Sequence, residues 1–190
     1  MTLFDLLFIL LFLSAVTVLI SCVVSALSGQ GERAGRRLRA LALAAAAYMV
    51  IVSGVSLLTP RAVLAMGEDQ CDDDWCIAVQ EAAHMGDSAV AVTFRVASRA
   101  LRVTQRERFV VAYVRDGAGR RYDAAPAPEQ PGFDVELEPG AYVSTRRVFR
   151  VPRGTSGLGV IITREGDIPF PRCCIIGTGL FHKDPIVPVP

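Results

Sequence analysis

The chain has 190 residues, of which 52% are hydrophobic and 21% charged, a length that suits one domain of about 130 residues and a small membrane module. Its mean hydropathy of +0.39 is high for a soluble protein. The formal net charge is +1, and four of the twenty basic and two of the nineteen acidic residues precede Arg61, so the remainder is nearly balanced. That balance lacks the basic stripe of a nucleic-acid-binding surface, and no nucleic-acid partner is expected.

Two apolar runs without a charged residue, Leu6–Leu27 and Leu41–Thr59, open the chain. A helix needs roughly 20 apolar residues to cross a hydrocarbon core of about 30 Å, and in lipid every backbone N–H and C=O must be bonded within the segment. The expected form is a transmembrane helical hairpin over residues 1–60. The first run is expected to be a retained span. A cleaved signal begins with a basic stretch and a shorter apolar core of about 7–15 residues, whereas Met1–Asp5 has one acid and no base.

The predicted loop between the spans, Ser28–Ala40, holds Glu32 and four arginines, Arg33, Arg36, Arg37 and Arg39. Short basic loops stay cytoplasmic. The topology expected in a bacterial inner membrane therefore has both the N-terminus and everything beyond Pro60 in the periplasm. The second span is rich in small residues, with Ala42-x₃-Ala46 early and Ser53 and Gly54 late. Small side chains let helix backbones approach closely. The face formed by Ala42, Ala46, Ser53 and Gly54 suits either a partner helix or the first span. Neither span contains His, Lys, Arg or Glu. Ion paths and proton relays need such groups, and haem is most often held by His. The hairpin reads as an anchor and packing surface without a cofactor of its own, open to apolar contact with lipids or a partner's pigments.

Residues 61–74 form a predicted linker that ends in the acids Glu68, Asp69, Asp72, Asp73 and Asp74. Carboxylates in this number suit calcium, but the Asp-x-Asp-x-Asp-Gly spacing is missing, and a solvated acidic loop is the plainer reading. From Trp75 the periodicity changes to two. Predicted strands are Trp75–Gln80, Ala89–Ser98, Phe109–Arg115, Phe133–Leu137, Tyr142–Val151, Gly159–Thr163, Cys173–Ile176 and a last run near Ile186–Val189. Asp116-Gly-Ala-Gly and Glu138-Pro-Gly140 are turn signals between them. Short strands without long helices between them predict an all-β, immunoglobulin-like sandwich over residues 75–190.

Cys22 lies inside the first span as a small packing residue, while Cys71, Cys76, Cys173 and Cys174 follow it. In an oxidising compartment four cysteines predict one or two disulfides. Cys71–Cys76 is the easiest local bridge, and the adjacent Cys173 and Cys174 point to opposite faces of a strand. Zinc is the alternative, but a Cys-x₄-Cys pair and a vicinal pair with no nearby His depart from the usual spacing.

The segments Trp75-Cys-Ile-Ala-Val, Val92-Thr-Phe94-Arg-Val96 and Leu137-Glu-Pro-Gly140 before Val148-Phe-Arg-Val-Pro152 resemble the immunoglobulin-like bacterial domains of the DUF4352 type. The resemblance covers about residues 70–190. It implies an extracytoplasmic, membrane-anchored domain and carries over no catalytic residue.

Chemistry-bearing patterns are sparse. Ser156-Gly-Leu-Gly159 does not lead from a strand into a helix, as a phosphate cradle requires. His84 and His182 are far apart in sequence and read as surface histidines. Asp134, Glu136 and Glu138 alternate along one solvated face. The expectation is a protein without enzymatic activity and without a metal site. It would be an accessory or scaffold subunit whose partners are other membrane subunits and the lipid bilayer, with respiratory and photosynthetic supercomplexes (reaction-centre–antenna assemblies among them) as the expected setting. A free-standing, membrane-anchored periplasmic binding or sensing module is the alternative.

Overall fold

A computed structural model of the chain describes residues 3–165 and 183–190. The described chain divides into two compact units, one built on the residues up to Pro60 together with Lys183, and the other on residues 61–165 and 184–190.

The first unit consists of helices α1, Leu3–Leu27, and α2, Gly31–Leu58, both long and apolar enough to cross a membrane. Gly29, at φ +78°, ends α1. Its N–H bonds to the carbonyl of Ala26 and that of Gln30 to the carbonyl of Ser25, so the last carbonyls of α1 are satisfied where only a residue without Cβ adopts the left-handed turn cheaply. The connection is thus shorter than the predicted loop Ser28–Ala40, and Arg33, Arg36, Arg37 and Arg39 are helical. Arg, Leu and Ala are strong helix formers, and nothing in residues 31–40 stops the helix once the turn is made. The two helices pack on each other. Ala15, Val18, Ser21, Cys22 and Ser25 of α1 and Leu41, Tyr48, Val52 and Ser56 of α2 are their more buried positions, at the three-, four- and seven-residue spacings of one helix face.

The second unit is a sandwich of two four-stranded antiparallel sheets. One has the order β1 (Gln70–Asp72), β2 (Trp75–His84), β3 (Ala89–Ser98), β6 (Tyr142–Arg150). The other has β5 (Arg121–Asp123), β4 (Val110–Arg115), β7 (Gly159–Arg164), β8 (Ile186–Pro188). Strands β2–β3–β6 and β4–β7–β8 stand in the order of A–B–E and C–F–G in an immunoglobulin-like sandwich. Alternation turns Val90, Val92, Phe94 and Val96 of β3 onto Phe149 of β6, Val114 of β4 and Val160 of β7 in one apolar core. A bulge at Gln80 shifts the register between Val79 and Glu81, which restores Ala82 to the inner face.

Three expectations are corrected. The predicted linker 61–74 already belongs to the sandwich, since Val63 pairs in parallel with Ile186 and β1 lies within it. Strand β5 has no counterpart in the predicted set. Phe133–Leu137 is not a strand. Leu137 alone bridges to Gln105, and the segment before it folds along the sheet edge, where Pro131 accepts hydrogen bonds from Thr145 Oγ1 and Arg147 at 2.7 Å each. Phe133 meets Phe94 edge to face at 5.2 Å. Edge strands of three residues are too short to carry a periodic signal, and a segment with one apolar side chain against the core alternates as a strand does. The predicted strand Cys173–Ile176 lies outside the described residues.

Asp116 closes the β4–β5 hairpin. Its carboxylate accepts bonds from the Arg120 amide at 2.8 Å, Arg120 Nε at 2.7 Å and the Tyr122 hydroxyl at 3.0 Å. Burial works to raise the acid's pKa, and these three donors outweigh it, holding it at about 2. A depressed carboxylate stabilises the fold fully above its unfolded pKa of about 4, and that contribution is lost as pH falls toward 2. Unfolding of the full chain in detergent, followed through the single buried tryptophan Trp75, is expected to show this loss between those values. The variant Asp116→Asn is less stable at pH 7 and lacks that part of the pH dependence. Truncation of fully buried Phe94 to alanine is expected to cost about 3–5 kcal/mol in the same assay.

Candidate functional site

Three places collect the residues with functional potential, beginning with the helical hairpin. Arg37 Nη1 donates to Ser21 Oγ at 2.6 Å and to Ser25 Oγ at 3.3 Å. The two serines are one turn apart on α1, so a single guanidinium spans both and ties the helices together near the turn. Arg33 donates to Gln30 Oε1 at 2.9 Å, while Arg36 and Arg39 are exposed. The four-residue face singled out in the sequence divides. Ser53 and Gly54 are half-buried, whereas Ala42 and Ala46 are exposed and lie outside the more buried face of α2. The side chains of Ala42 and Ala46 are thus left open to another helix.

The second place is the β1–β2 hairpin. Cys71 and Cys76 are direct cross-strand partners, with Cα atoms 4.0 Å apart, and form a disulfide. Asp73 takes the left-handed conformation at φ 56°, which an Asp tolerates better than most residues. Two of the acids around this hairpin meet arginines. Asp69 receives Arg95 at 2.7 Å and Arg99 at 2.8 Å, and these two guanidiniums hold its pKa down against the opposing effect of burial. Asp72 pairs with Arg164 of β7, which also meets Glu107 at 3.1 Å. Glu68 accepts the amide of Ala65 at 2.9 Å. The acid cluster that suggested calcium is therefore directed largely into ion pairs and hydrogen bonds. Among the described residues no group of three or more His, Cys, Asp or Glu is placed to hold a metal ion. Cys22 is buried with a free thiol; Cys173, Cys174 and His182 lie outside the described residues.

The third place is the opposite end of the sandwich, where a cleft of about 330 Å³ is lined by His84, Asp87, Val90, Pro152, Arg153 and Thr155 among others. Arg153 and Asp87 are 3.8 Å apart and both highly exposed, an ion pair worth at most about 1 kcal/mol. The cleft brings His84 near a carboxylate and a guanidinium, which suits weak binding of a polar group.

The β3–β4 connection, residues 99–109, has no motif, and nothing in its residue types marks it as a site. In the fold it exposes Leu101 by 91%, Val103 by 64% and Phe109 by 61%. Phe109 does so at φ 67°, a conformation that costs a bulky residue about 1–2 kcal/mol.

The fold and helices together define a protein with one β-sandwich behind two helices able to cross a membrane. The sequence matches no described protein family. No curated protein matches it either. Among solved structures, a secreted protein of Mycobacterium tuberculosis, MPT63, aligns over 57% of this chain and 94% of its own at 12% identity, with a TM-score of 0.45. The yjhA protein of Bacillus subtilis aligns over 66% and 98% at 11% identity, with a TM-score of 0.45. An uncharacterized β-sandwich protein of Clostridium difficile 630 aligns over 70% and 96% at 8% identity, with a TM-score of 0.44.

Closing a loop as short as that between Cys71 and Cys76 contributes about 2 kcal/mol in chain-entropy terms. The Cys71→Ser variant is expected to lower the stability of the sandwich by about that amount. Mass mapping without reduction should find the two cysteines in one bridge.

Proposed function

We propose that the chain is a non-catalytic accessory subunit of a larger complex in a bacterial inner membrane. Its hairpin docks sideways on partner helices, and its sandwich, of the DUF4352 kind, packs on the partner's periplasmic face. The observation that carries the reading is the surface of the hairpin. Leu10, Leu13, Ile20, Leu43 and Val50 are all more than half exposed, charge is absent from both apolar runs, and Ala42 and Ala46 stand outside the more buried face of α2. Such a surface is costly in water at about 25 cal/mol per Å² and at ease in lipid. Within lipid, helices associate through small side chains that let backbones approach. The disulfide supports an oxidising compartment for the sandwich, and the arginines at the hairpin turn support a cytoplasmic turn. Respiratory and photosynthetic supercomplexes are the proposed setting.

The second reading, a free-standing membrane-anchored binding or sensing module, is favoured by the cleft at His84, Asp87 and Arg153. It predicts a protein that needs no partner.

Purification of the tagged chain in digitonin, with mass spectrometry and an absorption spectrum, separates the two. The subunit reading expects stoichiometric membrane subunits to come with it, and a haem or pigment spectrum if the setting is right. A colourless preparation at the chain's own mass overturns it. The double variant Ala42→Leu, Ala46→Leu is expected to insert normally and to lose most of the co-purifying partner.

A further inference from the structure

We propose that the β3–β4 connection is a membrane-surface finger, seated in the headgroup region of the bilayer that the hairpin spans. The proposal rests on the membrane reading above and adds a contact that reading does not contain.

The connection exposes apolar side chains from a held frame, so their exposure is built in. At one side Ala100 is buried and its amide bonds to Ser98 Oγ at 3.3 Å. At the other, Gln105 exchanges two backbone bonds with Leu137 at 2.8 Å each, and Arg106 reaches Asp134 and Glu136. Between these fixed points Leu101, Arg102 and Val103 project outward. Phe109 follows, held outward by its left-handed backbone while its carbonyl accepts the amide of Glu165 at 2.8 Å. Tyr142, 70% exposed, opens β6 opposite Ala97 at this same end. Leu, Val, Phe and Tyr interleaved with exposed Arg102 and Arg108 is the chemistry of interfacial segments. Their apolar side chains enter the headgroup–acyl boundary while arginines meet lipid phosphates, and aromatic rings such as Tyr gather at that depth.

Chain connectivity selects lipid as the occupant. Strand β3 ends at Ser98 and β4 begins at Val110 opposite Arg164, the last residue of β7. Strand β8 runs antiparallel to β7, and Val63 runs parallel beside β8, so the chain coming from α2 enters the sandwich from this end. Only residues 59–62 separate Leu58, the last residue of α2, from Val63. At no more than about 3.6 Å per residue, Val63 stays within roughly 20 Å of the end of α2. If α2 spans the bilayer, the four intervening residues are too few to carry Val63, and with it the chain's entry into this end of the sandwich, far from the lipid surface.

The test uses the full chain in vesicles of phosphatidylethanolamine and phosphatidylglycerol containing lipids brominated on their acyl chains. Single tryptophans are introduced in three variants, Leu101→Trp, Arg153→Trp at the opposite end of the sandwich and Leu13→Trp in α1, each read against the buried Trp75 of the parent chain. The proposal expects Leu101→Trp emission to be blue-shifted and quenched by the brominated lipid, Arg153→Trp to be neither, and Leu13→Trp to be strongly quenched. If Leu13→Trp is quenched and Leu101→Trp is not, the finger is overturned and the membrane reading stands. A Leu101→Trp emission that is blue-shifted but unquenched also overturns it, and points to protein on that surface. If Leu13→Trp is unquenched as well, the spanning hairpin and the finger fall together.

Discussion

The sandwich depends on one row of side chains, the inner face of β3. This strand is central in its sheet, paired along its length with β2 on one side and β6 on the other. Its Val90, Val92, Phe94 and Val96 are completely buried. Because side chains alternate with a period of two, a slip of one residue would turn that row to the outer face and bring Ala91, Thr93, Arg95 and Ala97 inside. Arg95 cannot enter an apolar core without a partner, so the register has no near competitor. The other sheet closes on this row through Val114 and Val160, and the segment around Phe133 seals its open side.

Charge then organises the outside of the same framework. Arg95, one position from the core row, reaches Asp69 on the incoming chain, and Arg99 reaches the same carboxylate. Arg164 of β7 joins Asp72 of the β1–β2 hairpin, so that hairpin, already closed by its disulfide, is also tied to the second sheet. These contacts fasten short edge strands that contribute little apolar area of their own. Short, tied edges also leave fewer free backbone groups for pairing with another chain. Of the acids in residues 68–74, Asp69 and Asp72 serve this fastening.

The helical unit obeys a different solvent rule. Many of its outward-facing residues are apolar and exposed, and near the turn Arg37 spans Ser21 and Ser25. Gly29 lets the chain reverse almost immediately, which brings the arginines of α2 level with the serines of α1. Ala42 and Ala46 on α2 and Leu101, Val103 and Phe109 on the sandwich are among the described apolar residues that the packing leaves exposed.

Much of this was legible in the residues alone. Apolar length without charge marks the two helices, because backbone satisfaction in lipid leaves no other form. Strict alternation marks β3 and β6, because one face must be buried. Proximity in sequence marks the Cys71–Cys76 bridge. Tertiary structure alone decided the rest. It made helix of Ser28–Ala40 from Gly31 onward, since one glycine conformation sets where a turn ends. It drew residues 61–74 into the sandwich through Val63 and β1, whose pairing partners are distant in sequence. It turned Asp69 and Asp72 of the acid cluster toward arginines on β3 and β7, and it stood Leu101, Val103 and Phe109 out of the core. Periodicity reports which side of a strand or helix is apolar, but whether an apolar side chain in a connection is covered depends on what the rest of the chain brings to it.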